Sequence, residues 1–245
     1  MIAKIFKILL LLLLPSYLIA AFIYAQYEYE KERCSGIEII QRNKTEQQFL
    51  SDNDILTIIR DNKLVKKGEP LNNINRDKIE KTIEKNFIIE NVECYMTPSG
   101  KIKIEVEQRI PVMRVITPYD SYYIDKNRRK MPLSDKIIVY LPVASGNINE
   151  DFAKDKLFDF VQYISTNSKW DKQIEQIVVT DKEEIELIPR VGKQLILFGK
   201  ISNFERKFNS LELLYSQIFQ ERGWNYYNNI NLKYDGRIIC TKNNK

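Results

Sequence analysis

The sequence predicts an α+β protein with one N-terminal membrane helix followed by two folded parts. Three observations indicate this: residues 8–25 carry no charge, residues 35–108 have a β-α-α-β-β pattern, and residues 109–241 are rich in short strands. Of the 245 residues, 44% are hydrophobic and 29% are charged, which is typical of a globular protein rather than a disordered one. We therefore expect a buried core in each part.

The uncharged residues 8–25 are numerous enough to form a transmembrane helix, because a helix of this length reaches about 27 Å. Lys4 and Lys7 precede this segment, whereas the residues after it are slightly acidic. The positive charge on one side predicts a cytoplasmic tail over residues 1–7 and export of residues 26–245. The protein is therefore expected to be a single-pass membrane protein with its C-terminal part outside the cytoplasm.

A cleaved signal peptide is the alternative explanation of the same segment. Its plausible cleavage site follows Ala25, which places the large Ile23 where a small side chain is normally required. This favours a retained anchor, and under both interpretations most of the chain is exported. The three cysteines, Cys34, Cys94 and Cys240, are too widely spaced for a CxxC motif and imply no disulfide framework.

The sequence of the first part, residues 35–108, predicts a small sheet that two helices cover on one face. A short apolar strand over residues 36–40 precedes Ser51, a helix N-cap with an acid three residues later. Asn75 begins a second helix, whose apolar face is expected at Ile79, Ile83 and Phe87. Strands through residues 92–96 and 102–106 follow, separated by a Thr-Pro-Ser-Gly turn.

The sequence of the second part, residues 109–241, predicts a mainly antiparallel sheet with helices. Strands are expected at residues 112–116, 122–125, 174–179, 185–188, 195–198, 230–234 and 237–240. One helix is expected around residues 157–164 and a longer one over residues 203–222, because apolar residues recur there at helical spacing.

The composition excludes most catalytic chemistry. Because the chain has no histidine, Ser-His-Asp and Cys-His hydrolysis, HExxH metalloproteases and His-ligated zinc sites are all excluded. No glycine-rich phosphate loop occurs, and we expect no cofactor, metal or small-molecule substrate. The net charge of +5 is spread over interleaved acidic and basic residues, which argues against nucleic-acid binding.

An exported glycan hydrolase is the main enzymatic alternative, because paired carboxylates catalyse that reaction without histidine. The candidate acids are Asp125, Asp181, Glu183, Glu184 and Glu186. Asp181, Glu183 and Glu184 lie between two predicted strands, in a segment whose composition is typical of a polar hairpin turn. We therefore expect no catalytic residue and no enzymatic activity.

Three motifs resemble, in order and spacing, those of the FtsQ/DivIB family of bacterial cell-division proteins. Residues 106–115 read Val-Glu-Gln-Arg-Ile-Pro-Val-Met-Arg-Val and look like the family's V-x-x-R-x-P-V-A-x-V crossing between two domains. Residues 122–143 are similar to its next strands, although Arg128 and Arg129 occupy a turn where the family often has glycine. Residues 230–236, Ile-Asn-Leu-Lys-Tyr-Asp-Gly, resemble its V-D-L-R-Y strand and turn.

The resemblance covers nearly the whole chain and implies a POTRA-like domain over residues 35–108 and a β domain over residues 109–241. It implies a non-enzymatic divisome assembly protein that binds small bitopic coiled-coil proteins of the FtsB and FtsL type and so couples assembly to septal peptidoglycan synthesis. A POTRA-bearing translocation or outer-membrane assembly component is a further alternative, but such proteins usually carry a barrel or repeated POTRA modules.

The last two predicted strands are the expected partner site, because an exposed strand edge can accept a strand of another chain. By resemblance, Tyr234 matches the strand tyrosine of the family that contacts the partner. The expected partner-binding residues are Leu232, Tyr234, Asp235, Arg237 and Ile239. The alternative is a strand edge that its charged residues protect from aggregation.

Arg109 and Pro111 are expected at the junction of the two domains. Proline presets its own φ angle, and the arginine is expected to pair with an acid.

Overall fold

In the computed structural model, the described residues are 13, 15–24, 32–43, 49–133 and 139–243. The predicted cytoplasmic tail, residues 1–7, lies outside them, as does part of the predicted membrane segment. Residues 15–24 are helical. Within the described ranges, no helix has both the length and the apolar character needed to cross a membrane. The chain divides into two compact units, Met1–Gln108 and Arg109–Lys245.

The first unit contains a three-stranded sheet with two helices, in the predicted order β-α-α-β-β. Its elements are β1 (Gly36–Gln41), α1 (Asp52–Asp61), α2 (Arg76–Ile83), β2 (Ile89–Met96) and β3 (Lys101–Gln108). The strand order is β1-β3-β2, with β1 parallel and β2 antiparallel to β3. Four isoleucines of the helices and the alternate apolar residues of β2 and β3 form one core. The predicted α+β unit, with β-α-α-β-β order and two helices on a small sheet, is confirmed.

Side-chain caps fix the start of both helices. Ser51 accepts a hydrogen bond from the backbone N–H of Asp54 (3.2 Å), and the Asp54 carboxylate accepts one from the Ser51 backbone (2.9 Å). This reciprocal arrangement is the capping box that the sequence predicts. Asn75 caps α2 by accepting from the backbone N–H of Lys78 (2.9 Å).

The predicted apolar face of α2 was wrong at Phe87. The helix ends at Ile83, and Phe87 lies in the following turn with 59% of its surface exposed. Asn86 causes this ending, because its side-chain oxygen accepts a hydrogen bond from the N–H of Ile88 (3.1 Å) and holds a turn instead of another helical residue.

The second unit is built on a nine-stranded sheet in the order β12-β11-β10-β9-β8-β7-β4-β5-β6. Its strands are β4 (Pro111–Ile116), β5 (Ser121–Asp125), β6 (Lys130–Pro132), β7 (Val143–Gly146), β8 (Ile174–Val179), β9 (Ile185–Pro189), β10 (Leu195–Gly199), β11 (Tyr227–Asn231) and β12 (Ile239–Lys242). Neighbours β4–β7, β7–β8 and β10–β11 are parallel, and the other five pairs are antiparallel. The prediction of a mainly antiparallel sheet is confirmed.

The helices of the second unit pack against its sheet and complete the core. They are α3 (Glu150–Lys154), α4 (Lys156–Thr166), α5 (Trp170–Gln173), α6 (Phe204–Leu214), a π-helical turn (Tyr215–Phe219) and α7 (Gln220–Arg222). Fully buried aromatic rings join helices to the sheet and to each other: the Phe160 ring of α4 lies 5.1 Å from that of Phe198 in β10, and the Trp170 ring of α5 lies 4.8 Å from that of Phe208 in α6. Such ring pairs stabilise the core beyond their buried area.

The last two strands differ from the prediction. We expected strands at residues 230–234 and 237–240, whereas β11 ends at Asn231 and β12 begins at Ile239. The physical cause lies at Asn231, whose side-chain oxygen accepts a hydrogen bond from the backbone N–H of Lys233 (2.9 Å). This turn ends the strand, and residues 232–238 form a loop, which we call the terminal loop.

Candidate partner-binding edge

The terminal strand β12 has one neighbour, β11, in the part of the chain that the structure describes. Beyond its end, the N–H of Asn243 donates to the carbonyl oxygen of Tyr226 (3.0 Å), on the side of β11. Because successive N–H groups of a strand point to opposite sides, those of Cys240 and Lys242 point toward the open edge. The edge therefore presents backbone donors that can bind another strand.

The side chains of β12 alternate between core and solvent. Cys240 packs against the core of the second unit, and burial raises the pKa of its thiol. Its neighbour Ile239 is 50% exposed, and Thr241 is exposed. The outward face of the strand thus offers one large apolar side chain to a partner.

The terminal loop carries most of the sequence-predicted site residues. Tyr234 is 57% exposed, and Asp235 forms an exposed ion pair with Arg206 of α6, whose Nη1 lies 3.5 Å from its Oδ1. Arg237 is exposed, and its N–H donates to the Tyr234 carbonyl (3.3 Å). All three lie in a loop beside β12, whereas we expected Tyr234 and Arg237 on strands and only Asp235 in a turn.

Leu232 is the exception among the predicted site residues. It is only 3% exposed, and its N–H donates to the carbonyl oxygen of Leu197 in β10 (2.9 Å). Its side chain belongs to the core, so it cannot contact a partner. It instead anchors the start of the terminal loop.

Two further contacts hold the terminal loop, and sequence reasoning missed them. Lys233 pairs with Glu184 (Nζ to Oε2, 2.5 Å), and this hydrogen bond holds the pKa of Glu184 below its ordinary value. Gly199 has a φ of +78°, and a Cβ there would lie 2.9 Å from Cγ of Lys233.

The missed contacts join residues far apart in sequence, so periodicity gave little indication of them. The glycine at 199 was the available signal, because a glycine that ends a strand often marks a close approach of another backbone.

The predicted junction residues lie at the start of the second unit. Arg109 donates through Nε to Oδ2 of Asp125 (2.7 Å) and through a terminal nitrogen to the carbonyl oxygens of Arg129 (3.1 Å) and Lys130 (2.9 Å). Pro111 begins β4 and lies opposite Asp125 in the sheet. The arginine thus ties the entry of the chain into this unit to the β5–β6 turn.

Three acids of the hydrolase alternative lie where ion pairs or a surface turn account for them. Asp125 is fully buried, and two arginines, Arg109 and Arg129, occupy its carboxylate. Asp181 and Glu183 are exposed in the turn between β8 and β9, which is the polar turn that we expected. In the described ranges, no three acidic or thiol side chains converge as metal ligands.

The chain thus consists of a β-α-α-β-β unit followed by a mixed sheet whose terminal strand is open in the described residues. Comparison with family models agrees: one described as POTRA-like domain matches residues 32–107, and one described as FtsQ/DivIB, C-terminal related, matches residues 110–241. The second match covers more than half of the chain, which therefore belongs to the FtsQ/DivIB family. No curated protein matches the chain. The family is one of non-enzymatic division scaffolds, and membership implies a role in cell division.

Proposed function

We propose that this protein is a non-enzymatic divisome assembly protein that binds small bitopic coiled-coil division proteins of the FtsB and FtsL type. It couples assembly of the division machinery to septal peptidoglycan synthesis. In this proposal residues 8–25 anchor it in the inner membrane, residues 1–7 are cytoplasmic, and the two folded units are periplasmic. The charge asymmetry around the apolar segment supports this orientation.

The observation that carries the proposal is the open edge of β12. Its outward N–H groups belong to Cys240 and Lys242, and its outward apolar side chain is Ile239. A partner that adds a strand here gains backbone hydrogen bonds along the edge and an apolar contact at Ile239. Tyr234 and Arg237, in the adjacent terminal loop, supply an aromatic and a charged contact beside the strand.

A matched pair of substitutions at Lys242 tests the strand addition. Lys242→Pro removes a backbone donor that faces the open edge. Proline is tolerated at such a position because the N–H of residue 242 takes no part in the hydrogen bonds to β11. Lys242→Ala removes the same charge but keeps the donor. We expect co-purification of the small bitopic proteins with the full chain from native membranes to fall with proline and to persist with alanine.

Equal binding by the two Lys242 variants would contradict addition of a strand at β12. Loss of binding in both would attribute the effect to the charge of the lysine and would also contradict the proposed edge. Circular dichroism of both proteins checks that the β domain remains folded.

A further inference from the structure

The first unit contains a second open strand edge, far in sequence from β12. β1 lies at the border of its sheet and pairs with β3 only in the described part of the chain. Arg42, just after β1, donates its N–H to Val106 of β3 (2.9 Å), so the N–H groups of Ile37 and Ile39 point away from β3. The open edge therefore has backbone donors and acceptors in the stretch around these two residues.

A groove of about 460 Å³ lies at the start of this edge, between Gly36 and Ile37 of β1 and the C-terminal half of α1. Its floor is apolar: Cys34 and Ile59 are buried, and Ile37, Leu56 and Val65 are half-buried. The hydrogen bonds of Cys34 to Gly68 and Glu69 close one end of the edge. At the other end the Gln41 side chain donates to Asp52 (3.1 Å). The open stretch between them accommodates a strand of about four residues.

Four cations surround the groove: Arg60, Lys63, Lys66 and Lys67, all exposed. Among the described residues, no carboxylate forms an ion pair with any of them. Glu69, the nearest acid in sequence to Lys66, accepts from its backbone N–H (3.3 Å) rather than from its ammonium group. Elsewhere on this unit basic residues do pair with acids, as Arg42 does with Glu93 and Glu105. The rim is therefore a local excess of positive charge.

Lys63 adds a second observation. Its φ is +51°, in the left-handed region, directly after the Asn62 cap of α1. Helices normally place glycine at this position, because a side chain there costs about 1 kcal/mol. The N–H groups of Lys63 and Leu64 donate to Arg60 and Ile59 (both 3.0 Å), which is the hydrogen bonding of a glycine-type helix end. A lysine is thus held at the rim of the groove where the backbone favours glycine.

We propose that this groove binds an extended acidic segment of another protein, which adds to β1 as a short strand. Its main chain bonds to the open edge, one or two aliphatic side chains contact the apolar floor, and its carboxylates lie against the four cations. An anionic lipid would satisfy the cations but would leave the edge donors and acceptors unused. The site is separate from β12 and requires no partner there.

Fluorescence anisotropy of the full chain in detergent tests the proposal with three labelled peptides. The first alternates glutamate and valine, the second replaces each glutamate with lysine, and the third replaces each valine with proline. We expect saturable binding of the first peptide at or below roughly 1 mM and at least tenfold weaker binding of the other two. Proline keeps the charge but cannot form a strand ladder.

Variants of the rim locate the site. Lys66→Glu/Lys67→Glu should weaken binding of the glutamate-valine peptide by about tenfold, because like charges then face each other. Lys81→Glu/Lys85→Glu changes the charge of the same unit equally, but away from the groove, and should leave binding unchanged. Lys63→Gly should weaken binding about two- to fivefold, with a thermal midpoint equal to or above that of the wild type.

Three outcomes would overturn the proposal. One is failure of the glutamate-valine peptide to bind, and another is equal binding of the proline peptide, which would show attraction by charge alone. The third is an equal effect of the two double reversals. Binding to phosphatidylglycerol vesicles that Lys66→Glu/Lys67→Glu abolishes, without binding of the peptide, would assign the groove to lipid instead.

Discussion

Arg109 and Asp125 form an ion pair inside the second unit, with 2.7 Å between Nε and Oδ2 and no exposed surface on the carboxylate. The other oxygen of Asp125 accepts from the backbone N–H groups of Asn127 (2.9 Å) and Arg129 (2.8 Å). One carboxylate thus joins the residue that begins this unit to the turn between β5 and β6. Removing this carboxylate leaves the buried Arg109 guanidinium and the backbone N–H groups of Asn127 and Arg129 without this acceptor.

We predict that Asp125→Asn lowers the free energy of unfolding of the β domain by about 3 kcal/mol, the usual cost of breaking a buried ion pair. Urea denaturation followed by tryptophan fluorescence measures it, since Trp170 is in this unit's core. Asp120→Asn, which removes an exposed partner of Lys130, is the control and should change the midpoint little. An equal effect of both substitutions would contradict a special role of the buried pair.

The same carboxylate predicts a dependence of stability on pH. Burial acts to raise the pKa of Asp125, but the hydrogen bonds from the Arg129 backbone and the Arg109 side chain outweigh it and lower the pKa. A lowered pKa means that the stabilisation is present above the unfolded value of about 3.9 and is lost as the pH falls through the folded value. As the pH is lowered below about 4, we expect the free energy of unfolding to fall more for the wild type than for Asp125→Asn. Parallel pH profiles of the two proteins would contradict this.

Arg128 gives a prediction that separates backbone strain from side-chain contact. Its φ is +60°, in the turn where the resemblance led us to expect glycine. Its side chain donates to the carbonyl oxygens of Lys154 (3.1 Å) and Asp155 (3.4 Å), pairs with Asp159 and lies 4.5 Å from the Phe158 ring. Both Arg128→Gly and Arg128→Ala lose these contacts, but only alanine keeps the strain.

We therefore expect Arg128→Gly to be about 1 kcal/mol more stable than Arg128→Ala, with both below the wild type. Thermal unfolding of the three proteins measures the order. If alanine equalled glycine, the left-handed backbone of this turn would carry no cost.

The sequence was sufficient for the elements whose pattern is local. The capping box at Ser51 and the alternation of Ile102, Ile104 and Val106 with charged residues predicted α1 and β3 correctly. Prediction failed where a single side chain turns the backbone, as at Asn86 and Asn231, because apolar spacing continues past both residues. It also missed the β1–α1 groove, since the cations of its rim are assembled by the fold.

Membrane topology is the next prediction, and it rests on the charges that flank residues 8–25. Protease added to intact spheroplasts should degrade the two folded units of the protein. A tag placed before Met1 should remain protected until detergent is added. Protection of the folded units in intact spheroplasts would reverse the orientation.

We predict that no carboxylate of this protein is catalytic, because Asp125 is bound by arginines and Glu186 lies within β9. The purified protein should release no soluble fragments from peptidoglycan or from oligosaccharides. Hydrolysis that disappears in Asp125→Ala or Glu186→Ala would show that the family assignment does not describe its whole activity. The unfolding midpoint of each variant must be measured together with its hydrolytic activity, since Asp125→Ala is expected to destabilise the domain.

Tyr234 is predicted to contribute a large share of partner binding. Its side chain is 57% exposed in the terminal loop, beside the open edge of β12, and tyrosine is one of the residue types enriched among interface hot spots. We expect Tyr234→Ala to weaken binding of the small bitopic proteins by at least ~2 kcal/mol. Because the ring is outside the core, the thermal midpoint should stay unchanged.

Tyr119→Ala is the matched control for Tyr234, since Tyr119 is 98% exposed in the hairpin between β4 and β5, at the opposite part of the strand order. It removes the same ring from the same unit and should leave binding intact. Equal losses in the two variants would indicate a nonspecific effect of surface tyrosines. Unchanged binding in Tyr234→Ala would place the contact elsewhere along β12, with Ile239 as the next side chain to test, because it is the large apolar residue on the strand's outward face.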